Sequence, residues 1–157
     1  MLRKYLLIFL VSMVPLIELR GSMVIAMGMD LDYWTSLVVC VIGNMLPVPI
    51  IYFFARKVLL WGKNKPYIGK FFTYCLVKGH QGGERLIART GRGGLFVALM
   101  LFVGIPLPGT GAWTGTLAAS FLDMGFKSTV AAVSLGVVIA GIIMGTASTG
   151  VFSIIGL

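Results

Sequence analysis

Two charged side chains, Glu18 and Arg20, lie inside a stretch that is otherwise apolar from about residue 5 to residue 29. A charge at the centre of a bilayer costs about 2.5–3.5 kcal/mol even on a lenient insertion scale. A chain that keeps two charges there uses them or pairs them. Arg20 offers a planar fork of donors suited to phosphate or carboxylate. Glu18 could instead hold a cation or a coupling proton, if burial raises its pKa. The plainer alternative is a buried Glu18–Arg20 pair that only fixes the chain. Residues i and i+2 do not face each other on a helix, so direct pairing requires a loop at that point.

Residues 106–115, PLPGTGAWTG, form the second candidate. Pro106 and Pro108 remove backbone donors, and Gly109 and Gly111 loosen the chain. A helix beginning near Ala112 would aim free N–H groups and its positive dipole end at this loop, with Thr110 and Thr114 adding hydroxyls. Close helix packing accounts for the glycines equally well. The substrate-binding set expected from sequence is therefore Glu18, Arg20, Gly21, Pro106, Pro108, Gly109, Thr110, Gly111, Trp113 and Thr114. Other chemistry is thin. His80, the only histidine, falls among glycines 79–83 and reads as a loop residue. Cys40 and Cys75 have no metal spacing. Asp30, Asp32 and Asp123 read as turn residues at membrane boundaries. With no catalytic triad, nucleotide loop or metal cluster, the chain reads as a non-enzyme without cofactors.

The elements around these residues follow from composition. Of 157 residues, 58% are hydrophobic and 11% charged, against about 25% charged in a soluble domain. Disorder requires low hydrophobicity, and the 21 glycines show no collagen period. Two cysteines make no disulfide framework. An all-α integral membrane protein remains, a single domain over 1–157. Four apolar stretches stand out, at about 5–29, 35–55, 95–122 and 128–155. The second and fourth are uncharged over most of their length and long enough to span about 30 Å of hydrocarbon. In the fourth, Ala132, Gly136 and Ala140, and Gly141, Gly145 and Thr149, step by four. Such ridges let helices approach closely in lipid, and packing within the molecule is the simpler use for them. The first and third stretches are interrupted, by PLIELRG (15–21) and PLPGTG (106–111). Each arm then reaches only about halfway across the bilayer. Two half-helices joined by a loop at membrane depth fit best, and such backbone needs protein or a wet cavity around it.

The first fourteen residues imitate a signal peptide, but no small-residue cleavage site closes them, and retention is expected. Residues 56–92 carry nine basic residues against Glu84, a net +8 that equals the net charge of the whole chain. Between hydrophobic runs this reads as a cytoplasmic segment touching anionic lipid headgroups, not as a nucleic-acid site. Within it, Ile68, Phe71, Phe72, Cys75 and Leu76 form an apolar stripe of helical spacing. Glycines 79–83 should end that helix, with a shorter one at 84–90. The segment is thus a basic amphipathic linker between repeat one (5–55) and repeat two (95–155). The repeats are legible as Pro15-Leu16 and Pro106-Leu107, Asp30 and Asp123, and Gly43 and Gly136, at offsets of 91 to 93. Paired interrupted segments in two halves point to a transporter's binding site.

These residues carry a resemblance. PLIELRG (15–21) with Gly28, followed in the second half by PLPGTGAWTG (106–115), resembles the small multi-drug export protein family, a distant relative of the DedA superfamily. The resemblance covers nearly the whole chain. It implies two re-entrant helical hairpins, each followed by a transmembrane helix, in an inverted repeat. It also implies transport or lipid scrambling, with undecaprenyl phosphate recycling as one role in the wider superfamily. Glu18 and Arg20 match the charged residues of the first hairpin, and Pro106, Pro108, Gly109 and Gly111 match the second loop. The second hairpin here lacks the charges typical of DedA proteins.

The sequence thus points to a small transporter of a prokaryotic cell membrane, moving a small molecule or lipid phosphate between two facing hairpins. The alternative is a structural or regulatory membrane protein. If both broken stretches are re-entrant, as the Pro and Gly content of 106–111 favours, each half crosses once and both termini lie outside; if both span fully, as Arg3 and Lys4 favour, there are four crossings and both termini lie inside. The loops need shielding from lipid, so a homodimer or larger assembly is expected.

Overall fold

The computed structural model describes residues 1–155 apart from Leu16, Ile68 and Pro108. Side-chain surroundings at 72, 75, 76, 79, 82, 86, 152, 153 and 155 also lie outside the description. Of the expected stripe in the linker, only Phe71 is therefore described, and it is exposed. The described residues are helical, without strands. The order is α1 (Leu2–Met13), α2 (Glu18–Gly28), α3 (Tyr33–Met45), α4 (Pro47–Lys63), α5 (Gly69–Gly104), α6 (Ala112–Phe121) and α7 (Phe126–Ile155). Among the described residues, three stretches are long and apolar enough to cross a membrane: Tyr33–Lys63, Ile87–Gly104 and Phe126–Val151. Leu6, Leu10, Val38, Ile50, Phe53 and Leu135 all point outward. So broad an apolar surface is a liability in water and a solvent-matched exterior in lipid. The chain is a membrane protein.

The broken segments are real. Helices α1, α2 and α6 have 12, 11 and 10 residues, or about 18, 16 and 15 Å at the helical rise. Each second arm ends in the same way. Asp30 and Asp123 adopt left-handed backbone, with φ of 55° and 56°, a conformation Asp tolerates better than most residues. The next amide closes each helix end, Leu31 N–H to Ala26 O at 3.1 Å and Met124 N–H to Ala119 O at 3.0 Å, as in a Schellman cap. A second correspondence lies deeper. A Cβ on Gly43 would stand 2.7 Å from the Phe9 carbonyl oxygen, and one on Gly136 would stand 2.7 Å from that of Met100. Each glycine lets its long helix touch the backbone of the first arm of its own half. Gly141 and Gly145 approach Leu37, Leu19, Met23 and Tyr33 equally closely. The small-residue ridges of α7 are thus used inside the molecule, with Ala132 and Ala140 buried beside them.

The uncharged stretch 35–55 lies within the membrane-length helical stretch Tyr33–Lys63; α3 and α4 meet at Leu46, which keeps helical backbone, φ −58° and ψ −44°. Pro47 and Pro49 have no N–H to offer the carbonyls four residues earlier. The linker helix does not end at glycines 79–83 but runs through them, and the break comes at Gly91, with φ 71° and ψ 176°. Glycine costs a helix about 1 kcal/mol, but here tertiary contact outweighs it. A Cβ on Gly83 would lie 2.6 Å from the Leu122 carbonyl oxygen, so glycine lets α5 rest on the α6–α7 turn. The first arm of the second broken segment is the part of α5 after the break at Gly91, 92–104, which begins close to the expected residue 95. Ile87–Gly104 has 18 residues and enough hydropathy to span.

Candidate functional site

The two interruptions meet. Glu18 and Arg20 sit in the first turn of α2, because the second arm begins at Glu18 and not after Gly21. On that helical turn they face apart, and no Glu18–Arg20 ion pair forms among the described residues. Each reaches instead into the second broken segment.

Arg20 closes the end of α5. One guanidinium nitrogen donates to the Leu107 carbonyl. The other donates to the carbonyls of Val103 and Ile105, both at 3.2 Å, and to the carbonyl and hydroxyl oxygens of Thr110. The Thr110 hydroxyl turns back onto the carbonyls of Ile105 and Leu107, both at 2.9 Å. The last carbonyls of a helix have no partners within it and carry its negative dipole end. A cation with several donors is the natural complement. Sequence reasoning rested this loop on proline and glycine, but the side chain that organises its carbonyls is Arg20, from 83 to 90 residues away.

Glu18 does the converse at the start of α6. Its carboxylate accepts from the Trp113 N–H at 3.3 Å, next to the positive end of the helix. Gly111 makes the approach feasible: a Cβ there would fall 1.6 Å from Glu18 Oε2. Glu18 itself takes a left-handed conformation, φ 50°, and is only 7% exposed. Thr114 caps α6, its hydroxyl accepting from the Gly111 N–H at 3.0 Å and donating to the Gly111 carbonyl at 3.2 Å.

Between the segments lies a cleft of about 320 Å³, lined by Glu18, Arg20, Pro106, Leu107, Gly109, Gly111, Thr114 and Met144. Six of these eight residues belong to the set expected from sequence. Thr110 and Trp113 hold the walls without lining the cleft. Gly21 packs against Ile17, where a Cβ would meet that side chain at 2.4 Å. Pro108 lies outside the described residues. Sequence reasoning missed Met144, which has no distinguishing mark in an apolar helix. It also missed Asn44, 2% exposed, whose Oδ1 has no partner among the described residues. Asn44 lines a pinhole of about 10 Å³ behind the cleft, next to Glu18 and Arg20. A lone amide in an otherwise apolar run was the available signal.

The remaining polar residues serve elsewhere. His80 is a helical residue, not a loop residue. Its Nε2 lies 3.2 Å from Glu84 and its Nδ1 4.0 Å from Asp123, while Arg56 pairs with Asp123 at 2.8 Å. Asp32 caps α3 by accepting from the Thr35 hydroxyl at 2.7 Å and its N–H at 2.8 Å. Those two bonds hold the Asp32 carboxyl below the usual carboxylate range. No group of three metal-ligating side chains occurs among the described residues.

Residues 18–143 match the model of the family described as "Putative small multi-drug export protein". That span is most of the chain and contains both interrupted segments' facing residues. The chain belongs to this family. No curated protein and no solved structure matches it significantly.

Proposed function

From membership of that export family we infer that this chain is a small membrane transporter whose substrate occupies the cleft between the two broken segments. The observation that carries the reading is the meeting of two interruptions, far apart in sequence, around a cleft of about 320 Å³ that holds a nearly buried carboxylate. That size falls within the range of small-molecule sites, roughly 300–1,000 Å³, and irregular backbone at membrane depth is tolerated where it lines such a cavity.

The hydrogen bonding favours one class of substrate. The guanidinium of Arg20 is spent on carbonyls. The carboxylate of Glu18 has one donor among the described residues. The group left to meet a ligand is therefore the anion, and the substrate is a small organic cation in preference to a lipid phosphate. In this reading the broken segments are re-entrant hairpins in two inverted halves. The basic 56–92 segment is then cytoplasmic, and a dimer or larger assembly shields the loops. Glu18 exchanges its cation for a proton.

The test is ethidium flux in vesicles containing the purified protein, with an imposed pH gradient. Wild type should move ethidium in response to the gradient. Glu18→Gln should abolish that response with its helical circular dichroism unchanged. Flux no greater than in empty vesicles would sink the proposal. A specific observation supports the competing reading, a structural membrane protein: both charges are already used in holding the second segment together. Under that reading Glu18→Gln would alter stability and nothing else.

A further inference from the structure

The basic linker contains a feature that transport does not use. The end of α4 and the start of α5 face one another across an open groove of about 630 Å³. Four lysines line it: Lys63 and Lys65 from the end of α4 and the turn after it, and Lys70 and Lys78 from α5. All four are exposed, and none takes part in an ion pair among the described residues. The chain has only five acids. Glu84 and Asp123 are engaged with His80 and Arg56. Glu18 is in the cleft, and Asp30 and Asp32 lie at the other end of the 31-residue Tyr33–Lys63 stretch. The positive field of the groove is therefore uncompensated. Thr73, Tyr74 and Gln81 add neutral hydrogen-bonding groups to its lining.

Aromatic side chains flank the lysines. The Lys65 ammonium lies 4.6 Å above the Trp61 ring and that of Lys78 lies 5.9 Å from the Tyr74 ring, within the range for cation–π attraction. Trp61, Tyr67, Phe71 and Tyr74 are all exposed, Tyr67 by 96%. They adjoin Leu60 and Phe54, exposed on the membrane-facing part of α4. Amphipathic rings next to cations at the end of a membrane-length helix belong at the headgroup level. A site for a soluble anion would have no use for that apolar rim.

We propose that this groove binds the headgroup phosphate of an anionic phospholipid. The lysines neutralise the phosphate, Thr73 and Tyr74 donate to its oxygens, and the exposed rings rest among the first acyl carbons. The proposal is independent of transport through the cleft. It differs from general attraction of a basic segment to a membrane, because it assigns the binding to four of the nine basic residues.

The experiment uses the full chain in vesicles of phosphatidylcholine containing a minority of phosphatidylglycerol, with lipid retention read by native mass spectrometry. Wild type should retain phosphatidylglycerol selectively. Single changes, Lys63→Gln, Lys65→Gln, Lys70→Gln or Lys78→Gln, should each lower that retention about fivefold, equivalent to about 1 kcal/mol. The quadruple change should reduce it to the level of phosphatidylcholine. Neutralising Lys57, Arg85, Arg89 and Arg92 instead should leave it within about twofold of wild type. Equal loss in both quadruple variants would replace the site by bulk charge and overturn the proposal, as would retention unaffected by the lysine changes. Displacement of the lipid by inorganic phosphate would assign the groove to a soluble anion and also overturn it. If the quadruple variant does not fold, the four single changes decide.

Discussion

The first broken segment carries Glu18 and Arg20 but a single proline. The second has no charge between Leu95 and Leu122 but contains Pro106, Pro108, Gly109 and Gly111. In the structure the two are complementary. The second segment exposes the two ends that a broken helix must expose, the carbonyls at the end of α5 and the amides at the start of α6. The first segment supplies a cation for one and an anion for the other. The absence of charges from the second loop is therefore not a missing half of a symmetric site. One half contributes side-chain charge and the other backbone dipole, and charge near a helix end of opposite sign is favourable. The difference teaches that Glu18 and Arg20 do not have the same freedom. Arg20 is held by several acceptors, whereas Glu18 has one donor and faces the cleft.

This asymmetry can be broken most severely at Gly111. Gly111→Val would place carbon where the Glu18 carboxylate lies, displacing a nearly buried charge from its partners. A loss of about 4 kcal/mol or more is expected, read as failure to accumulate in the membrane. Gly111→Val combined with Glu18→Ala should recover part of it. Gly125→Ala, where nothing lies within 4 Å of the added carbon, should be tolerated. If both glycine changes were equally harmless, the contact between Glu18 and the start of α6 would be wrong.

Arg20→Ala comes next. It leaves the carbonyls of Val103, Ile105 and Leu107 without their donor and Glu18 without a neighbouring cation. A cost of about 3 kcal/mol is expected from leaving one buried charge uncompensated, seen as a lower thermal midpoint in detergent. Arg20→Lys should restore only part, since one ammonium cannot span acceptors that a planar fork reaches together. Full stability in Arg20→Ala would return the loop's architecture to its prolines and glycines alone.

The smallest effect belongs to the opposite end of α6. Arg56 and Asp123 form an ion pair, but their side chains are 46% and 48% exposed. Solvent screening limits such a pair to less than about 1 kcal/mol. Asp123→Asn should therefore shift the thermal midpoint slightly at low salt and not measurably at high salt. A shift as large as that of Arg20→Ala would mean that this turn, and not the cleft, is the keystone of the helix.

Much of this was legible in the residues. Charge scarcity and four apolar stretches determined the membrane setting, because hydrocarbon admits few charges. Pro106, Pro108 and the glycines around them determined that one segment is broken, since they remove donors that a straight helix needs. Glu18 and Arg20 were conspicuous by cost alone. The recurrence of Gly43 at Gly136 and of Asp30 at Asp123 was visible as spacing. Local composition misled where tertiary contact outweighed it. Glycines 79–83 read as a helix break, yet Gly83 serves close packing on Leu122 and the break falls at Gly91.

Only the tertiary structure decided what Glu18 and Arg20 hold. Their partners are backbone groups more than 80 residues away, and backbone amides and carbonyls are the same at every position. No residue type marks Val103, Ile105 or Leu107 as the acceptors of an arginine, and none marks Met144 as a wall of the cleft. Sequence determined that two charges interrupt an otherwise apolar stretch. Folding decided that the ends of two broken helices receive them, because those ends are the strongest opposite partial charges within their reach.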